Sequence, residues 1–256
     1  HAAGRSQGLL MRLRKRLYRG AVRLKRRLSG TPQPGEVDWG DLRRTEPIGR
    51  RFGEDRPTGG ELRGRAIDRH YVESFIARYA VDIGGDVLEI GEPLYTRWFG
   101  ADRVKTSEVL HVRAGNPLAT LIADLSAAPH MPDASYDCAI VTQTLHLIYD
   151  APAAVRTLAR VLRPGGSLLM TVPGISPVPN ETDWGSTWHW AFTSHSVRRM
   201  LREGFESEPE VVSMGNVLSA SAFLQGLSVG ELQAAELDAC DPDFPVIIAA
   251  RIAKQG

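Results

Sequence analysis

The stretch Asp86-Val87-Leu88-Glu89-Ile90-Gly91-Glu92-Pro93 constrains the fold more than any other part of the chain. Val87, Leu88 and Ile90 suit a short strand buried on both faces, the pattern of a parallel sheet. Glu89 interrupts the run one residue before its end, and Gly91 then opens a loop. A carboxylate at the carboxyl end of a buried strand needs a partner, because burying an unpaired charge is costly. In open α/β sheets that same end is where ligands bind.

The downstream pattern extends the sheet. Apolar runs at Val104–Val109, Thr120–Leu125, Cys138–Val141 and Leu168–Pro173 read as further strands. Val211–Met214 and Pro245–Ala250 read as the last two, closing with an antiparallel strand at the edge. Tyr71, Phe75, Ile76 and Tyr79 have helical spacing, with Asp68 as the expected N-cap. Pro152–Leu162 is an amphipathic helix with Pro152 in its first turn. Ser194–Leu201 reads as a capped helix, and Gly215–Gly226 and Gly230–Leu237 read as helical. Strand and helix alternate from Val87 to Met170, which predicts an α/β sheet with helices on both faces.

With 256 residues and a hydrophobic fraction of 43%, the chain can bury one sizeable core with extensions. We expect a basic N-terminal arm over 1–35, a linker or strap over 36–67 and the α/β domain over 68–256. The formal net charge of +1 hides an asymmetry, since no acid precedes Glu36. In Leu9–Leu28, leucines near helical spacing alternate with Arg and Lys. This is the pattern of a surface helix for anionic membrane or an acidic protein partner, or of a solvated arm. Interleaved aromatics are nearly absent there, so nucleic acid is not expected as a partner. Cys138 and Cys240 have no metal-ligand spacing, and no metal site is expected. No apolar run reaches the roughly 20 residues of a bilayer span, and no signal-peptide pattern is read. A cytoplasmic location fits, with peripheral membrane attachment through the arm as an option.

Several motifs resemble one family. The strand, acid and glycine turn at Glu89 and Gly91 resembles the first motif of class I S-adenosylmethionine-dependent methyltransferases, of the type 11-like kind. That family continues with two more glycines, whereas this chain reads Glu92-Pro93-Leu94. Ala123-Asp124-Leu125, Met131-Pro132-Asp133 and Ser135-Tyr136-Asp137 resemble the family's third-strand region. Leu162-Arg163-Pro164-Gly165-Gly166 resembles its turn before strand five. The implied fold is a Rossmann-like, mostly parallel seven-stranded sheet.

The resemblance also implies a site. Glu89 and Gly91 would shape the cofactor turn, and Glu108 would accept hydrogen bonds from the ribose hydroxyls. Asp124 would accept from the adenine amino group, with Leu125 donating its backbone N–H to the ring. Gln143 would line the methionine end. His146 lies three residues on, a spacing that shares a helix face with Gln143. His146, His189 and Asp68 are the candidate general bases, since a hydroxyl acceptor must lose a proton. A structural role for each remains open. Trp188-His189-Trp190-Ala191-Phe192-Thr193 resembles a run in methyltransferase-like proteins of carbohydrate biosynthesis. Trp184, Trp188 and Trp190, with Tyr71 and Tyr95, are therefore candidate acceptor contacts, as aromatic rings offer flat apolar faces to a sugar.

The expected activity is methyl transfer from S-adenosylmethionine to an oxygen or nitrogen of a small acceptor, a sugar or glycosylated natural product. The alternative is a protein of the same fold that does not methylate. It would be a cofactor-independent small-molecule enzyme or a non-catalytic partner of a biosynthetic enzyme.

Overall fold

The computed structural model describes residues 39, 43–50, 64–178 and 187–255. The basic segment 9–28, most of the linker and Trp184 lie outside the described residues.

Seven strands form one sheet in the order β3-β2-β1-β4-β5-β7-β6. They are β1 (Gly85–Ile90), β2 (Val104–His111), β3 (Leu121–Ile122), β4 (Tyr136–Thr142), β5 (Leu162–Pro173), β6 (Glu210–Met214) and β7 (Ile247–Ala253). The first five run parallel, and β7 pairs antiparallel with both β5 and β6. The antiparallel strand is therefore interior, and β6 takes the edge where an antiparallel strand was expected. Ile247, Ile248, Ala249 and Ala250 are all fully buried, so a flank of each side by another strand suits β7 better than an edge.

Among the described residues five α-helices accompany the strands: α1 (Ile67–Arg78), α2 (Ala151–Val161), α3 (Ser194–Phe205), α4 (Val217–Leu224) and α5 (Ala234–Asp238). Asp150 caps α2 by accepting from the Ala153 N–H at 3.0 Å, with Pro152 in the first turn. Thr193 caps α3 through a reciprocal pair with Ser196. Asp68 falls inside the first turn of α1 rather than at its N-cap, because the helix begins at Ile67.

Side chains alternate across the sheet. Leu88, Ala139, Val141, Leu168 and Met170 join Val155, Leu158, Val197 and Leu201 of α2 and α3 in one apolar cluster. Val87, Cys138, Ile140 and Leu169 are buried on the opposite face. Tyr136 pairs with Leu162 and Cys138 with Ser167, so the Pro-Gly-Gly turn is looped out of the β4–β5 ladder. Gly165 takes a φ of 81° there, in the region that favours glycine.

The crossover from β2 to β3 departs from the usual unit. Residues 112–120 contain no helix, although parallel strands are ordinarily joined through one. β2 runs three residues past Glu108, and β3 is only two residues long.

The chain divides into two compact units, one of residues 68–221 with 239–256 and one of 1–67 with 222–238. The expected sheet domain spanned 68–256 without interruption. Instead, 222–238 groups with the earlier segment. Within that smaller unit Ala66 bridges Ser228, the Val229 N–H donates to the Arg65 carbonyl at 2.8 Å, and the Gly49 N–H donates to Gln225 at 2.9 Å. These backbone bonds explain why a helical stretch late in the chain belongs with an early one.

Candidate active site

The glycine turn follows β1 and is held from two sides. Glu89 is buried, and burial raises its pKa against the pull of its hydrogen bonds. Its Oε1 accepts from the Tyr95 N–H at 2.9 Å, and its Oε2 accepts from the Thr96 N–H at 2.8 Å and the Thr96 hydroxyl at 2.6 Å. Those amides open a π-helical turn, Thr96–Gly100, and would otherwise be orphaned. Glu89 was expected among the cofactor contacts. It is instead enclosed and spent on the backbone. Across the turn, Asn116 Nδ2 donates to the Gly91 carbonyl at 2.6 Å, while Asn116 Oδ1 accepts from the Leu118 N–H. Gly91 has a φ of 87°, and a Cβ there would meet nothing within 4 Å. Backbone conformation alone demands glycine here, and the space above it is open.

Beside this turn lies a groove of about 500 Å³, lined by Pro93, Thr96, Arg97, Val109, Leu118 and Thr120. It occupies the face of β2 that a crossover helix would otherwise cover.

The expected ribose acceptor is displaced. Glu108 sits level with Leu88 in the strand ladder, short of the carboxyl end of β2. Its carboxylate accepts a close hydrogen bond from the Tyr136 hydroxyl, at the start of β4. The end of β2 carries His111, Val112 and Arg113 instead. An acid after a strand is a weak signal in sequence, because strand ends are uncertain by a few residues.

At the end of β3, Asp124 Oδ1 accepts from the Ser126 N–H at 2.9 Å and from its hydroxyl at 2.7 Å. This is a local Asx turn. It leaves Asp124 Oδ2 without a hydrogen bond among the described residues. The Leu125 N–H likewise has no acceptor there, although its side chain is buried. The two make an exposed acceptor next to a free donor, the pattern that an adenine amino group and ring nitrogen require.

At the end of β4, Gln143 has a φ of 47°, a conformation that costs a non-glycine residue energy. It is held by its N–H donating to the Thr171 carbonyl at 2.8 Å and its Nε2 donating to the Thr171 hydroxyl at 3.2 Å. The shared helix face expected for Gln143 and His146 does not form, because that backbone turns left-handed and only a short 3-10 turn follows, Leu145–Leu147.

His146 is nonetheless brought to this strand end. It is buried, and its ring lies 4.2 Å from the ring of Trp188. The backbone N–H of His189 donates to the His146 carbonyl at 2.9 Å. Its Nδ1 is buried with no hydrogen-bond partner. Burial pushes its pKa down to about 4, so the ring is neutral near pH 7.

The aromatic loop is partly anchor and partly surface. Trp190 Nε1 donates to the carbonyls of Ile148 and Tyr149 at 3.0 and 3.1 Å. Its ring stacks on Tyr149 with centroids 5.9 Å apart, and His189 meets Tyr149 edge-on at 5.4 Å. Tyr149 is 74% exposed and Trp190 38%. Tyr71 and Tyr95 differ from expectation, since both rings are buried. Tyr95 places its N–H on Glu89, and its hydroxyl accepts from Arg69 at 3.4 Å. The Asp68 carboxylate accepts from the Arg69 N–H at 2.8 Å.

Sequence reasoning passed over Asn116 and Tyr149. Asn116 stands in a Gly-Asn-Pro turn, a local signal for a backbone clamp. Tyr149 carries no such signal.

Among the described residues no group of three or more His, Cys, Asp or Glu is arranged to hold a metal ion. No helix among them is long and apolar enough to cross a membrane.

Comparison with known proteins agrees with this geometry. Residues 93–170 match the family model described as "Methyltransferase domain". The fold is similar to a chain of the complex between the Haloferax volcanii Trm112 methyltransferase activator and a methyltransferase. The identity there is 16%, the TM-score 0.50, and the match covers 74% of this chain and 92% of that one. It is also similar to phosphoethanolamine N-methyltransferase 2 of Haemonchus contortus, solved with phosphomonomethylethanolamine and S-adenosylhomocysteine. That match has 12% identity and a TM-score of 0.50, and covers 73% of this chain and 53% of that one. No curated protein sequence matches. Residues 93–170 are therefore similar to a methyltransferase domain, and the chain shares its fold with these two methyltransferases.

Proposed function

We propose that the chain methylates a hydroxyl or amine of a small-molecule acceptor, a sugar or a glycosylated natural product. The observation that carries this reading is His146. A neutral imidazole with an unpartnered buried Nδ1 lies at the end of β4, where a doubly wound sheet binds its ligand. When bound, S-adenosylmethionine supplies an electrophilic methyl group on a sulfonium sulfur.

The residues fit that donor at the adenine end. Asp124 Oδ2 and the Leu125 N–H offer the acceptor and donor that adenine requires. Gly91 leaves open space above the turn, and Gln143 lines the neighbouring strand end. Nδ1 of His146 takes the proton of an acceptor hydroxyl, and Trp188 against the imidazole keeps water from it. The stacked Tyr149 and Trp190 rings offer an apolar face to a sugar ring. His189 is exposed and is the second candidate base. The protein otherwise acts by alignment, holding donor and acceptor in line. The leucine and arginine pattern of residues 9–28 supports attachment of the chain to an anionic surface. Deleting 4–30 should abolish vesicle binding and spare methyl transfer.

Calorimetric titration with S-adenosylmethionine and S-adenosylhomocysteine tests the donor reading, and labelled-methyl transfer to a panel of sugars and glycosides tests the acceptor. Micromolar binding with a labelled glycoside is the expected result. Absence of heat and of any thermal shift at millimolar ligand would overturn it.

A further inference from the structure

We propose that Glu92, in the glycine turn, is the residue that accepts the ribose hydroxyls of the donor. The inference rests on the donor reading above. In dinucleotide-type folds a carboxylate at the end of the second strand takes the ribose hydroxyls, because it is acceptor-only and can take two donors. This chain has no such carboxylate there. The end of β2 reads His111-Val112-Arg113, and the His111 ring turns back on its own chain, with Nδ1 2.8 Å from the Arg113 carbonyl oxygen. Glu108 is three residues short and engaged by the Tyr136 hydroxyl.

The loop after β1 supplies the missing group. Ile90 pairs with Leu110, and the Gly91 N–H donates to the Leu110 carbonyl at 2.9 Å, which carries the ladder one step beyond β1. Asn116, from the loop after β2, fixes Gly91 from its carbonyl side at 2.6 Å. Glu92 follows directly and is thereby tethered beside the end of β2, one strand spacing away. Its side chain is exposed and makes no hydrogen bond or ion pair among the described residues. Of the other acids near this turn, Glu89 is committed to the backbone, and Asp124 keeps only Oδ2 free, the atom assigned above to adenine. A carboxylate on the first loop also accounts for the loss of the second-strand acid, since two carboxylates facing one diol would repel each other.

The test is a two-by-two binding experiment. Dissociation constants for S-adenosylhomocysteine and for its 2′-deoxyribose counterpart are measured by calorimetry on the intact protein and on Glu92→Gln. The intact protein should prefer the ribose ligand by about tenfold or more, the scale of a hydrogen bond to a charged group. Glu92→Gln should bind S-adenosylhomocysteine more weakly and lose most of that preference, with an unchanged melting temperature. Glu108→Gln should keep the preference. A preference that survives in Glu92→Gln, or a mutant weakened equally toward both ligands, would overturn the assignment and leave the donor reading standing. An intact protein that binds neither ligand would overturn both.

Discussion

The two edges of the sheet carry the same kinds of side chain and use them differently. At the amino edge the charges are closed on one another. Arg163 donates to Asp137 at 2.6 Å and pairs with Asp86 at 2.8 Å, and the Thr106 hydroxyl donates to Asp86 at 2.7 Å. Nearby, Arg251 pairs with Asp82, and the Tyr79 hydroxyl donates to Glu210. At the carboxyl edge, Asp124 Oδ2, the Leu125 N–H, His146 Nδ1 and the Glu92 carboxylate have no hydrogen-bond partner among the described residues. Residue type and charge do not separate a site from a scaffold here; the pairing does. Glu89 sharpens the point, because it stands at the carboxyl edge yet is paired like an amino-edge group.

If unpaired groups serve the ligand and paired groups serve the fold, substitutions should sort accordingly. The largest effect is expected at His146. His146→Gln should lower turnover by about 100-fold or more, the contribution of a positioned general base, with donor affinity unchanged in calorimetry. Its pKa near 4 keeps the base neutral, so wild-type turnover should persist with falling pH until about 4. A pH profile with its midpoint near 6.5 would assign the proton to another group. Stability carries the same sign. The folded pKa lies below the ordinary value of 6.5, so the native state loses stability as pH falls from 6.5 towards 4. That loss should reach about 3 kcal/mol and be absent from His146→Gln.

Glu89→Ala should destabilise the fold by about 3 kcal/mol in urea unfolding, because the Tyr95 and Thr96 amides lose a buried acceptor. Normal stability with lost donor binding would make Glu89 a ligand contact and break the comparison. Asp124→Asn keeps an oxygen for the Asx turn and removes the charge. It should weaken S-adenosylhomocysteine binding by about tenfold without shifting the melting temperature.

The sheet was legible from short-range pattern. Apolar runs, the caps at Asp150 and Thr193 and the Pro-Gly-Gly turn each act within a few residues, so strands and helices fall close to where they were expected. The site was legible only in part. Asp124, Leu125, Gln143 and His146 reach the carboxyl edge because each lies within four residues of the end of a strand. Glu108 did not, because the end of β2 is set by its ladder with β1 and no local residue marks it. The burial of Tyr71 follows the helical spacing it shares with Phe75 and Ile76, but the burial of Tyr95 and the membership of 222–238 in the smaller unit depend on contacts far apart in sequence. No periodicity announces those.

The smallest effect is expected at the amino edge. Arg163 and Asp86 are close, but Arg163 is over a third exposed, so solvent screens their attraction. The Thr106 hydrogen bond and Arg163 hold the Asp86 carboxyl below the usual carboxylate range. A depressed acid stabilises the fold above its unfolded pKa and loses that contribution as pH falls through its folded one. Arg163→Ala should therefore lower the melting temperature slightly at neutral pH, less so at high salt. The difference from wild type should shrink on acidification. Donor affinity should not change at any pH, because no ligand group lies at that edge. A mutant that melts normally and binds S-adenosylhomocysteine more weakly would show that pairing does not separate the two edges, and the assignment of Asp124, His146 and Glu92 to the ligand would lose its basis.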